Sequence, residues 1–417
     1  MAAMNARNDI AVLRELARRY VEVASSPVQQ ERRQLWRDHN SMRPTRVPVL
    51  ATFGMWNVWC REVFSDRAMA CRDPFYRAHE RTLRMRLFQH SVGDDSVLEP
   101  WITQGAAQQR GWGNLWGVQE THSDNVEGGS WKFVPPVANW SDVAKLSRPP
   151  HAIDEDATAQ NAARLGEAVG DILPVNVDRG PACQGFLSDL SYSVTQLRGL
   201  QQLMIDMYEN PHELHALMAF LRDGVLANQA AAEAAGDLST TNQENQCHTY
   251  ADGTVTPSPN SYGCRRRQLW CFMAAQEFEL ISPAMHEEFL LQYQLPIMEN
   301  WGLAAYGCCE NLTRKIDMLR KAPNLRIIAV TPRADVRLCA EQIGADYVVS
   351  WRPNPTDMVC CQFDEGLIRR IIRAGLEACR GCRVHIHLKD IETVQGEPDR
   401  LARWVRIVRD VADDVGI

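Results

Sequence analysis

A chain of 417 residues with a 23% charged fraction, a formal net charge of -7 and a pI near 5.9 is long enough for a large core and has no basic surface to track phosphates. Nucleic acid is excluded as an expected partner. No run of about 18 apolar residues and no secretory leader is present, so no membrane span is expected and the chain is expected to be cytoplasmic.

Thirteen cysteines in a reducing compartment read as thiols, metal ligands or core filler, not disulfides. Two adjacent pairs, Cys308-Cys309 and Cys360-Cys361, and one CxxC, Cys379 to Cys382, stand out. The CxxC has no second copy, which argues against a zinc ribbon.

In chain order, residues 7–41 predict two helices, with Ile10, Leu13, Leu16, Tyr20 and Val21 on one face of the first, packed outside the barrel that follows. Residues 47–51 predict a strand whose aromatic exit, Thr52 to Asn57, suits a pocket wall. A helix over 75–89 carries Arg77, Arg81, Arg84 and Arg86 on a face read as solvated. Residues 94–149, rich in Trp and Gly, predict short strands and loops.

Helix is expected again over 154–169, strand over 172–177, and two long helices over 189–209 and 211–235, the second capped by Asn210 with Pro211 in its first turn. Residues 240–267 lack periodicity and hold Glu244, Asn245, Cys247, His248 and Asp252, the composition of a lid or binding loop.

The last third alternates. A helix opens at Ser282-Pro283; then come strands at 303–306, 325–330, 347–350 and 384–388, each followed by a helix, at 313–320, 332–343, 364–378 and 398–412. Start signals are Thr313, Thr331 before Pro332, Asp364 and Glu397-Pro398. Strands alternating with helices of this size make right-handed βαβ units, and four of them with more strands upstream predict an α/β fold, a closed (β/α)8 TIM barrel.

In a barrel the loops after the strands gather at one face. That rim would hold Cys308, Cys309 and Glu310, then Arg333 and Asp335, then Arg352 and Asn354, then Lys389, Asp390 and Glu392. A thiolate pair with a carboxylate or imidazole can hold zinc. Arginines on the same rim would fix a carboxylate or phosphate, or would staple loops through Asp335 and Asp357. His385 and His387 share one face of the last strand and read as structural.

Four segments carry a family resemblance: AQEFELISPAMHEEF from Ala275, GLAAYGCCENLTRKIDML from Gly302, RADVRLCAEQIGADYVVSWRPNP from Arg333 and LKDIETVQGEPDRLARW from Leu388. They resemble the uroporphyrinogen decarboxylase-like superfamily, which also contains zinc-dependent, cobamide-using methyltransferases, and in particular its long members with a GCCE motif. The resemblance implies one TIM-barrel domain over residues 1–417, with residues 1–46 as an N-terminal helical extension. The stretch ATFGMWNVWC from Ala51 does not match the RQAGRY-type motif of the true decarboxylases, and Tyr306 stands where the methyltransferases carry the His of a His-x-Cys zinc pair.

The implied function is metal-dependent methyl transfer from a corrinoid or similar donor to a thiol. Metal ligands would be Cys308, Cys309 and His248; catalytic residues Tyr306, Glu310 and Lys389; substrate-binding residues Arg333, Arg352, Asn354 and Asp390. Zinc is the expected cofactor, and a small molecule and a corrinoid protein the expected partners. The alternative is a metal-free decarboxylase in which Arg333, Arg352 and Lys389 hold carboxylates, and a third possibility is a barrel that only binds.

Overall fold

The computed structural model describes residues 2–54, 61–124, 132–240, 243–244 and 247–417. Met55, Trp56 and Asn57 of the expected aromatic exit, with Trp131 and Asn245, lie outside them.

Eight parallel strands carry the fold: β1 (Val49–Phe53), β2 (Ile102–Gly105), β3 (Val175–Asp178), β4 (Trp270–Met273), β5 (Leu303–Tyr306), β6 (Leu325–Val330), β7 (Val348–Trp351) and β8 (Arg383–Ile391). Six form one curled sheet in the order β1-β8-β7-β6-β5-β4, and β2 pairs with β3 in a separate ladder. Strands β4 to β7 are short and largely apolar, as strands buried on both faces are, whereas β2, β3 and the nine-residue β8 carry polar residues. In β6, Ile328 and Val330 pack toward the helices while Ile327 joins Trp270, Phe272, Ala305, Cys308 and Val348 in a separate buried cluster.

The architecture is therefore α/β and barrel-like, but the ladders described do not close a ring of eight. At the β1/β2 junction, side chains take the place of a neighbouring strand. The Asp95 carboxylate accepts from Val49 N–H at 2.9 Å and the Asp94 carboxylate from Ala51 N–H at 3.0 Å. At the β3/β4 junction, Asn260 Oδ1 accepts from Val177 N–H at 2.9 Å while Asn260 Nδ2 and the Tyr262 hydroxyl donate to the Val175 and Val177 carbonyls. The free edges of β1 and β3 are thus satisfied in part by side chains.

Helices flank the sheet where the periodicity places them, with three differences, the first being that the helix expected over 313–320 is the single turn Ile316–Leu319. The helix expected over 332–343 begins at Val336, because Asp335 is the cap, accepting from Leu338 N–H at 3.0 Å, and residues 332–334 form the turn before it. The long helix expected over 189–209 is two, Ser191–Arg198 and Leu200–Glu209, broken at Gly199. In the helix Glu365–Ala378, a Cβ on Gly375 would lie 2.0 Å from the Trp351 ring, so glycine is what lets this helix lie down on β7.

The N-terminal helices α1 (Ala2–Ala24) and α2 (Pro27–Asn40) do not both stay outside. Trp36 of α2 is fully buried, its ring 5.3 Å from that of His385 and 5.1 Å from that of His248. His39 Nε2 bonds His385 Nδ1 at 3.1 Å, and His385 Nε2 bonds Ser350 Oγ at 2.7 Å. Helix α2 thus reaches the inward residues of β7 and β8, and His385 has the structural role its mid-strand position suggests.

Candidate active site

Strand β5 ends at Tyr306, and Gly307 turns the chain with φ +100°. A Cβ there would lie 2.8 Å from Leu312 Cδ1 and 2.9 Å from Ala329 Cβ, so both conformation and space require glycine. The turn delivers Cys308 and Cys309, their sulfurs 3.6 Å apart. Glu310 pins it from beneath, Oε2 accepting from Cys308 N–H and Oε1 from Ala275 N–H, both at 2.8 Å. From the end of β7, the buried Arg352 guanidinium donates to the Cys308 carbonyl.

Lys389 arrives from β8. Its ammonium donates to Cys308 Sγ at 3.3 Å and to Cys309 Sγ at 3.4 Å and forms an ion pair with Asp390 Oδ2 at 2.7 Å. Cys309 Sγ is 3.6 Å from the same Asp390 oxygen. These groups line a cavity of about 500 Å³, with His248, His387, Thr52, Phe186 and Arg86 in its wall. It lies at the C-terminal ends of β5 and β8, where barrel enzymes keep their chemistry.

The electrostatics separate the two thiols. The hydrogen bond from Cys309, then the Lys389 and Arg352 cations, bring the Cys308 thiol down to about 6 against burial and the Glu310 carboxylate. Cys309, donating to that sulfur and partly buried beside its charge, is pushed the other way. Burial and Arg352 depress Lys389, but Cys308, Asp390 and Cys309 outweigh them and its ammonium is held above its ordinary value. The result is a thiolate at neutral pH, a neutral thiol donating to it, and a fixed cation beside both.

This arrangement does not fit a zinc site. Zinc needs about four donors at ~2.0–2.3 Å around one point. Lys389 Nζ stands where the two sulfurs would share an ion, Glu310 spends both oxygens on backbone N–H groups, and His248 Nε2 accepts from Val97 N–H at 3.3 Å. No group of three His, Cys, Asp or Glu able to hold a metal gathers among the described residues.

Of the residues expected at the site, Cys308, Cys309, His248, Lys389 and Asp390 share the cavity. Glu310 and Arg352 lie behind it as supports of the Cys308 backbone. Tyr306 points away: its buried hydroxyl donates to Gln294 Oε1 at 2.7 Å and meets His286 Nε2 at 2.9 Å, and burial holds its pKa well above the ordinary value. Arg333 is on the surface, its side chain 64% exposed and paired with Glu279, not Asp335. Asn354 is exposed and caps a turn through Thr356 N–H. Neither reaches the cavity, because the residues after β6 and β7 turn outward to start their helices.

Two cavity residues depart from the roles the sequence predicts. His387 lines the wall, with Nε2 2.8 Å from Thr52 Oγ1. Arg86, placed on a solvated helix face, reaches the cavity instead; its neighbours Met85 and Gln89 on the helix Pro74–Val92 do too. An apolar or amide residue one and three positions away was the available signal.

A methyltransferase from Methanosarcina mazei of known structure aligns with 92% of this chain and 98% of its own length, with a TM-score of 0.54 and 13% sequence identity. At that identity the likeness is one of fold. Protein-family models give no match to the sequence, and curated proteins give none.

Proposed function

We propose that this chain is an enzyme that transfers a methyl group to a thiol, with the Cys308 thiolate and the Lys389 ammonium as its working pair. The observation that carries the reading is their 3.3 Å contact inside a cavity at the strands' C-terminal ends. The fold it shares with a methyltransferase supports the choice of reaction.

In this reading an acceptor thiol enters beside Lys389 and gives its proton to the Cys308 sulfur. The S–H bond of the acceptor breaks, and its new thiolate is held by the ammonium. Stabilising a thiolate is the task a metal performs elsewhere; here a fixed cation does it. The acceptor sulfur then bonds the methyl carbon as the carbon's bond to its carrier breaks, and the electron pair leaves with the carrier. The carrier is a corrinoid or similar methyl donor, brought by a corrinoid protein. Arg86 makes no ion pair among the described residues and is the cation in the wall left for an anionic end of a substrate.

Zinc has no place in this reading because the donors are already committed. The decarboxylase reading needs Arg333, Arg352 and Lys389 together around one substrate, but Arg333 is on the surface paired with Glu279 and Arg352 lies behind the cavity on the Cys308 carbonyl.

The test is thioether formation. With methylcobalamin and 2-mercaptoethanol, the protein is expected to consume the cobalt–carbon absorption and yield the methyl thioether. Cys308→Ser and Lys389→Met are expected to lose about a hundredfold or more, the usual worth of a positioned proton-transfer group. Wild-type protein that forms no thioether, or variants that match it, would sink the proposal.

A further inference from the structure

The β3/β4 junction, where no ladder runs, is lined by a second cavity of about 400 Å³. Asp178 from β3 and Trp270 and Phe272 from β4 form facing walls; Trp101, Trp112 and Trp301 complete them. Phe186 belongs to this wall and to that of the thiol cavity. No lysine, arginine or histidine among the described residues lines it, and Asp178 is its one charged group.

The rings are set before any ligand arrives. The Trp270 indole N–H donates to the Thr249 carbonyl at 2.9 Å, the Trp301 N–H to Gln229 Oε1 at 3.2 Å, and Phe186 meets Phe272 edge-on at 5.2 Å. With their N–H groups spent inside the protein, these indoles have no donor left for a ligand and meet it only through their rings. Asp178 Oδ1 accepts from Gly180 N–H at 3.0 Å, which orients the carboxylate and leaves Oδ2 for a partner. Trp112 is 63% exposed, an indole in water at the edge of an aromatic cavity.

We propose that this cavity is a second binding site, for an organic cation of the alkylated ammonium class. Aromatic faces attract a cation through their quadrupoles, and alkyl groups on the nitrogen lower its hydration enough for a wall that mixes rings with uncharged polar groups. A lone carboxylate supplies the counter-charge. A neutral guest gains nothing from that carboxylate, and an anion would be repelled.

The proposal does not depend on the methyl-transfer reading and is tested without turnover. Choline and 3,3-dimethylbutan-1-ol have the same shape and differ by one charge, so titration calorimetry and tryptophan fluorescence compare them directly. Choline is expected to bind and to quench indole emission, with the neutral alcohol about tenfold weaker or more. Asp178→Asn is expected to abolish the preference. Trp112→Ala, at an exposed position where folding is not at stake, is expected to weaken choline alone. Cys308→Ser is expected to leave choline binding unchanged. Equal affinity for the two compounds, an unaltered preference in Asp178→Asn, or no choline binding at millimolar concentration would each overturn the assignment.

Discussion

Lys389 Nζ stands 3.3 Å from Cys308 Sγ, and the contact joins the ends of β8 and β5, strands separated in the sheet by β7 and β6. The cation is therefore a test point for the thiol's acidity. Peptide-resolved alkylation with iodoacetamide is expected to show Cys308 half-reactive near pH 6 and the exposed Cys360, whose thiol is pushed up by its hydrogen bond with Cys361, only at more alkaline pH. In Lys389→Met the Cys308 midpoint is expected to rise by about one unit or more. An unchanged midpoint would remove the basis for the pairing.

The same shift makes a stability prediction. Cys308 has a folded pKa of about 6, below its ordinary 9.0. Its contribution is therefore complete above pH 9.0, declines as pH falls, and is gone once pH passes below about 6. Wild type is expected to exceed Cys308→Ala at alkaline pH by an amount on the order of a few kcal/mol beyond their difference at pH 5. Paired denaturant titrations at the two pH values read this directly, and a pH-independent difference contradicts it.

Metal content is a third check. Protein purified without chelator is expected to carry no stoichiometric zinc, and added zinc is expected not to raise the melting temperature, since binding to the folded state alone would raise it. One zinc per chain, lost in Cys308→Ser with Cys309→Ser, would show that Lys389 gives way to a metal.

Glu310 and Arg333 should behave oppositely, although both stand on the rim in sequence. Glu310→Gln keeps the shape but replaces one acceptor oxygen by an NH2 facing a buried N–H, so it is expected to cost about 1–3 kcal/mol and to disturb Cys308 alkylation. Arg333→Ala removes an exposed ion pair and is expected to change stability by ~1 kcal/mol or less and turnover not at all. Urea melts and the thioether assay separate the two.

Trp36 tests the role of α2. Its ring is fully buried against His39, His248 and His385. Trp36→Ala is expected to cost about 3–5 kcal/mol, the usual result of emptying an aromatic site in a core. A variant that melts with wild type would mean that α2 packs only loosely on the barrel.

Much of the fold was legible because buried parallel strands announce themselves as short apolar runs between polar turns. Leu303–Tyr306 and Leu325–Val330 have the limits the pattern predicts. Strand β4 was not legible: Trp270–Met273 continues into Ala274 and Ala275 with no turn residue to end it. The inward turn of Trp36 was hidden because an amphipathic helix does not say which core its apolar face meets.

At the site, the cysteines and Lys389 could be placed at strand ends, but their contact depends on the register of four strands. Glu310 and Arg352 looked like chemistry because their partners are backbone groups, which leave no mark in a sequence. Tyr306 was assigned by analogy to a position, and its facing, toward Gln294 and His286, is fixed by the strand's alternation.

The pairing of β1 with β8 has a consequence for how the protein is made. Val49 finds its ladder partner in Ile386, and among the described residues β1 pairs with no other strand. On a ribosome the first strand must wait, unpaired and apolar, until nearly the whole chain has emerged. Strands β4 to β8 are contiguous neighbours and can assemble as they appear, so nucleation belongs to the C-terminal half and β1 docks late. The nascent chain's exposure to aggregation is then concentrated in one five-residue strand, and chaperone dependence should track Val49–Phe53 more closely than the reactive thiols.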